Sequence, residues 1–156
     1  MQPSEYFPHL ALLLKSLRID GDRLNGRGKV AIDARLLRRI VRAAIERLPF
    51  SAEFYLRTYP DIAAAAAAGQ IADLHRHYVE TGYFEGRLGA PPAIDEAYYM
   101  ATYPDVAEAI AEGRVTSAIE HFLRSGAAEG RVPNAAAAAE IAGWMDILRV
   151  PVMGEP

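Results

Sequence analysis

Residues 50–90 and 94–134 carry one pattern twice, and every matched pair stands 44 residues apart without a gap. The first copy runs Tyr55-Leu56-Arg57-Thr58-Tyr59-Pro60-Asp61, then Gly69, His77-Tyr78, Gly82 and Glu85-Gly86-Arg87. The second runs Tyr99-Met100-Ala101-Thr102-Tyr103-Pro104-Asp105, then Gly113, His121-Phe122, Gly126 and Glu129-Gly130-Arg131. A fixed period of this length marks a supersecondary unit used twice. One such unit is near the size below which a lone core rarely suffices, so flanking helices are expected to share the burial.

The punctuation inside each copy predicts three short helices. Ser51 and Asp95 are N-caps for helices over 52–59 and 96–103. Pro60 and Pro104 suit the first position of the next helix, where a missing N–H costs nothing. Asp61 and Asp105 then place negative charge on the positive end of the helix dipole. Gly69 and Gly113 end this helix as left-handed caps, and Gly82 and Gly126 are expected to end a third helix (71–81 and 115–125) in the same way. A tight Glu-Gly-Arg turn finishes each copy.

Outside the repeats, Leu10, Leu13, Leu14 and Leu17 recur at helical spacing and predict a helix over 6–18. Turn chemistry follows at Asp20-Gly21-Asp22 and Asn25-Gly26-Arg27-Gly28, with a short extended piece expected at 30–32. Asp33 caps a helix over 34–47 whose apolar stripe includes Leu36, Leu37, Ile40, Val41, Ala44, Ile45 and Leu48. Pro49 ends it. Asn134 caps a last helix reaching Leu148, with Ile141, Trp144, Met145 and Leu148 on one face, and 151–156 reads as a frayed tail. The expected fold is all-α. A helical segment (1–49) precedes a tandem repeat domain (50–134, copies 50–93 and 94–134), and a closing helix and tail (135–156) follow.

The chain has no cysteine, which excludes disulfides, thiolate nucleophiles and Cys-ligated metals. Its start lacks the basic residues of a signal peptide, and the apolar stretch 10–14 is too short to cross a bilayer. A cytoplasmic protein without membrane insertion is the expectation. The net charge of −3 conceals an asymmetry. Residues 1–50 carry ten Lys/Arg against five Asp/Glu, whereas 51–156 carry seven against fifteen. The two halves can attract one another within a chain or between chains.

Candidate chemistry concentrates in the repeated polar residues. His77 and His121 each follow an apolar position at helical spacing and adjoin an aromatic, which reads as a packing histidine. The sharper alternative pairs them with Glu85 and Glu129 for proton transfer or metal binding. Two ligands per copy are too few for a closed zinc site, and His75 has isoleucine at the matching position 119. Arg87 and Arg131 are expected to make structural contacts, with a sugar or anion site as the alternative. Tyr59 and Tyr103 read as core aromatics with hydroxyls at the rim; stacked sugar is the alternative. Arg35, Arg38, Arg39 and Arg42 give the helix over 34–47 a basic face for solvent or an acidic protein surface. The acidic chain, without aromatics interleaved among these arginines, excludes nucleic acid. Gly26-Arg27-Gly28-Lys29 lacks the spacing of a phosphate loop, and Leu24 stands where a calcium loop needs oxygen.

The Tyr-Pro-Asp-[Ile/Val]-Ala start, the His-aromatic pair and the Gly-x-x-Glu-Gly-Arg end together resemble a bacterial tandem repeat. That repeat occurs in or beside surface-polysaccharide glycosyltransferases and in some large secreted bacterial proteins. The resemblance covers about residues 50–134 and implies an accessory or interaction module in a glycan-related setting; it carries over no catalytic residue. The expected function is a non-enzymatic adaptor, with residues 1–48 forming a homodimer or docking a protein partner. A carbohydrate-binding module is the second reading and a His/Glu enzyme the third. No cofactor or metal is expected.

Overall fold

The computed structural model describes residues 8–18 and 30–148. All regular structure among them is helical, so the fold is all-α; the piece expected to be extended at 30–32 is irregular coil. The linker at 19–29, the start of the first helix at residues 6 and 7, and the tail lie outside the described residues. The chain divides into two compact units, Met1–Gly89 and Ala90–Pro156. The Arg-rich helix therefore belongs with the first copy, and the C-terminal helix with the second.

In the first unit, α1 (Leu10–Leu17) starts with the His9 imidazole accepting from Ala11 N at 3.2 Å and ends at a left-handed Arg18. Helix α2 (Ala34–Ile45) is capped by Asp33, whose Oδ1 accepts from Arg35 N at 2.8 Å. It stops two residues before the expected end. Arg47 N and Leu48 N turn back to Ala44 O and Ile45 O, tightening the last turn before Pro49. The repeat proper is α3 (Ala52–Thr58), α4 (Pro60–Ala67), α5 (Leu74–Glu80) and a 3₁₀ turn at Gly82–Glu85.

The second unit repeats this order as α6 (Glu96–Thr102), α7 (Pro104–Ala111) and α8 (Ala118–His121). Here the third helix widens into a π turn at Phe122–Gly126, at the positions that match 78–82 at the end of α5 in the first copy. A 3₁₀ turn at Ala135–Ala137 then leads into α9 (Ala138–Leu148), with Asn134 Oδ1 accepting from Ala137 N at 2.9 Å.

Ser51 and Asp95 cap as expected, accepting from Phe54 N at 3.2 Å and Tyr98 N at 3.0 Å. The third helices start later than 71 and 115. Asp73 and Ser117 cap them, accepting from Arg76 N at 2.8 Å and Glu120 N at 3.1 Å. Both copies are also fastened start to end: Ser51 N donates to Gly89 O at 2.8 Å, and Asp95 N to Pro133 O at 3.1 Å.

One expectation is overturned. Gly69 and Gly113 are left-handed at φ +73° and +72°, but Gly82 and Gly126 are not; among the described residues the other left-handed glycines are Gly86 and Gly130. Gly82 and Gly126 are needed for space. A Cβ at Gly82 would collide with the Tyr55 hydroxyl oxygen, and one at Gly126 with that of Tyr99. Tyr55 and Tyr99 are wholly buried.

The core of the first unit gathers Ile45, Tyr55, Ile62, Tyr78 and Val79, with Val41 and Phe50 packed against them. The inner edge of α2 therefore closes the first copy, while Leu37 and Leu48 of its predicted stripe stay exposed. The second unit buries Tyr99, Tyr103, Val106, Val115, Ala118, Phe122 and Val132. A Cβ at Gly130 would meet Met145 Cε at 2.5 Å, which places α9 over the turn that is open at Gly86.

Candidate functional site

Two polar devices recur in each copy, both built from residues that the repeat carries twice. The first is a tyrosine–histidine pair. Tyr55 from α3 meets His77 Nδ1 from α5, and Tyr99 from α6 meets His121 Nδ1 from α8, each at 3.1 Å. Burial pushes both tyrosine hydroxyls up to about 12, so each holds its proton throughout the neutral range. We assign the hydroxyl as donor and Nδ1 as acceptor, which leaves the ring proton on Nε2. In the second copy Nε2 faces Ser125 Oγ at 3.4 Å.

His121 titrates below its ordinary range, because burial disfavours the imidazolium and the Arg131 charge adds to the effect. A depressed folded-state value contributes stability above the unfolded value of about 6.5, and that contribution is lost as pH falls through the folded value. The second unit is therefore expected to weaken from about pH 6.5 downward. His121→Gln should be less stable at pH 7 yet flatter between pH 7 and 5, as read by thermal unfolding across that range.

The second device is an arginine clamp. Arg87 presents Nη1 and Nη2 to the two oxygens of Asp61 at 3.1 and 2.7 Å, and Nε to Glu85 at 3.0 Å. Arg131 does the same to Asp105 at 2.9 and 2.8 Å, and to Glu129 at 2.6 Å. The bidentate fork is the strong form of this pairing. It holds the Asp61 and Asp105 carboxyls below the usual carboxylate range. Each guanidinium also lies over a tyrosine face, Arg87 over Tyr59 at 4.9 Å and Arg131 over Tyr103 at 4.8 Å. The hydroxyls of these tyrosines accept from Leu88 N and Val132 N at 2.7 Å. One side chain thus ties the start of α4 or α7 to the closing turn of its copy.

The histidines and the repeated glutamates thus have different hydrogen-bond partners. Glu85 and Glu129 serve the arginines, and the histidines serve the tyrosines. Among the described residues no group of three or more His, Asp or Glu side chains could hold a metal ion. In the sequence Asp61 and Asp105 suit the helix dipole alone; the signal of the clamp is their constant 26-residue separation from Arg87 and Arg131.

The arginines of α2 do not act as one face. Arg35 points outward and pairs with Asp33 at 3.1 Å. Arg39 is exposed. Arg38 lies 3.7 Å over the Phe84 ring and donates to Glu80 O at 2.7 Å, while Arg42 reaches Glu80 Oε1 at 2.5 Å. Two arginines of four therefore fasten α2 to the first copy. Among the described residues no helix is long and apolar enough to cross a membrane. No protein-family model matches this chain, and no match was found among curated proteins or solved structures.

Proposed function

We propose that this chain is a non-enzymatic helical-repeat interaction module that self-associates through its terminal helices. The observation that carries the reading is that α1 and α9 are strongly apolar, yet neither has a buried residue. Leu10 and Leu12 on α1 are exposed, as are Trp144, Ile147 and Leu148 on α9. Apolar faces of this kind mark contact surfaces. The repeated polar residues support the same reading, since they are engaged inside their own copies and serve architecture.

A second copy is the occupant that charge favours. Residues 1–50 have ten basic against five acidic side chains, and 51–156 have seven against fifteen. Lys15 and Arg18 belong to the α1 region, Glu140 and Asp146 to α9. Opposite charge beside apolar surface favours association and sets its orientation. The resemblance of the repeat to those of polysaccharide-assembly systems suggests bacterial surface-polysaccharide synthesis or export as the setting. A sugar platform is the weaker reading, because an arginine covers one face of Tyr59 and of Tyr103.

Sedimentation velocity on the full chain tests self-association. The expected result is a mass above the monomer that grows from low to high micromolar concentration. Leu12→Asp and Trp144→Asp should each shift it to monomer with little change in thermal unfolding. A monomer at every concentration would overturn the self-association.

A further inference from the structure

In the first copy the chain itself shows what sits against the third helix: another helix. Val41 and Ile45 of α2 join the core that holds Val79, and Arg42, on the same stripe, pairs with Glu80 at 2.5 Å. Val79 is 7% exposed in that arrangement. In the second copy the residues 44 positions on are Ile119 for His75, Leu123 for Val79 and Arg124 for Glu80. Ile119 is 43% exposed, and Leu123 is only partly buried. Arg124 is exposed and enters no ion pair among the described residues. Glu120, one turn before it, gives its Oε2 to Thr116 N and Oγ1 at 2.6 Å.

The second copy therefore offers the same seat, open and with its charge reversed. A helix lying there as α2 lies on α5 covers Ile119 and Leu123, and it needs an acid where α2 has Arg42. Helix α9 carries that combination. Its Met145 turns toward the closing turn of its own unit, and Ile141 and Met145 are partly buried. Glu140, Trp144, Ile147 and Leu148 form a different stripe, at i, i+4, i+7 and i+8, and all four are exposed. Within its own unit α9 leaves Ile119 uncovered, so the seat is open to the α9 of another chain. The other flanking helices fit less well. Arg38 and Arg42 commit α2 to the first copy, and the charges of the α1 region, Lys15 and Arg18, have the same sign as Arg124.

We propose that α9 of a second copy of this chain lies on α8 and its π turn, as α2 lies on α5, with its apolar stripe over Ile119 and Leu123 and its Glu140 beside Arg124. The contact rests on the self-association proposed above and names the surface that α9 meets. It is reciprocal about a two-fold axis: each chain gives one α9 and receives one, so the Arg124–Glu140 pairing occurs twice in a dimer.

Charge reversal on the full chain, read by sedimentation velocity, tests the contact. Arg124→Glu and Glu140→Arg each set like charges against one another at both contacts of a homodimer. Each should raise the dimer dissociation constant by about tenfold or more. Both residues are exposed, so thermal unfolding should keep the parent's midpoint. An equimolar mixture of the two variants should recover the parent's affinity to within about threefold, because opposite charges then meet at both contacts. A pairing of the two residues within one chain cannot produce that recovery. Parent-like association of either variant alone overturns the proposal and leaves self-association standing. A mixture no tighter than its components also overturns it and gives the seat to another occupant. A parent chain that is monomeric at every concentration overturns both.

Discussion

Gly126→Ala and Gly82→Ala are each expected to destabilise their own unit by about 2–3 kcal/mol, as overpacking of a rigid core does. Gly69→Ala and Gly113→Ala should cost less, about 1–2 kcal/mol, although both are left-handed. The order is unusual, because positive φ normally marks the glycine that matters most. Here Gly69 and Gly113 have open space around an added Cβ, whereas Gly82 and Gly126 face the hydroxyl oxygens of Tyr55 and Tyr99. Neither tyrosine can step aside. Tyr55 is wholly buried among Phe50, Tyr59 and Tyr78, and its hydroxyl is tied to His77. Urea unfolding followed by circular dichroism measures the costs, and a double-mutant cycle tests the cause. In a Tyr55→Phe background, where the offending oxygen is gone, Gly82→Ala should cost at least about 1 kcal/mol less than in the parent. Equal costs in both backgrounds would show that the hydroxyl is not what excludes the methyl.

Arg131→Met is the second large effect, expected on the order of 2–3 kcal/mol. Removing one partner of a fully buried ion pair typically costs about 3–5 kcal/mol. The figure is lower here because the Arg131 side chain is only 6% exposed but Asp105 is 61% exposed, so the abandoned carboxylate regains water. Methionine keeps much of the apolar stem and isolates the charge. Arg87→Met should cost less, since Arg87 is 20% exposed in the same clamp. The clamp also predicts a pH signature. Asp105 sits below its ordinary value because Arg131 holds it ionised. Its contribution is complete above the unfolded value of about 3.9 and is lost as pH falls through the lower folded value. The parent should therefore lose stability steeply below about pH 4, and Arg131→Met should lose much of that dependence. Thermal unfolding from pH 7 to 3 reads both.

The sequence was most legible where the physics is local. The caps at Asp33, Ser51, Asp95 and Asn134, the prolines at helix starts and the left-handed Gly69 and Gly113 all act within a few residues of themselves. Their chemistry is therefore written beside them. Glycine at 82 and 126 is ambiguous in the sequence, because freedom in φ and room for a neighbour leave the same letter in the chain. The neighbour in each case is a tyrosine 27 residues upstream. Asp61 and Asp105 suit their own helices, while their main partners lie 26 residues away. The basic face of α2 looked uniform, but Arg38 and Arg42 turn onto α5 and the following turn, and only packing decides which side of a helix is inside.

The bonds from Ser51 N to Gly89 O and from Asp95 N to Pro133 O mean that the chain enters and leaves each copy at neighbouring points. A segment with adjoining ends can be doubled or dropped into a host loop without pulling that loop apart, as long as a flanking helix closes its core as α2 does for the first copy. A gene carrying such a segment can change its number of copies by unequal recombination at little cost to each folded insert.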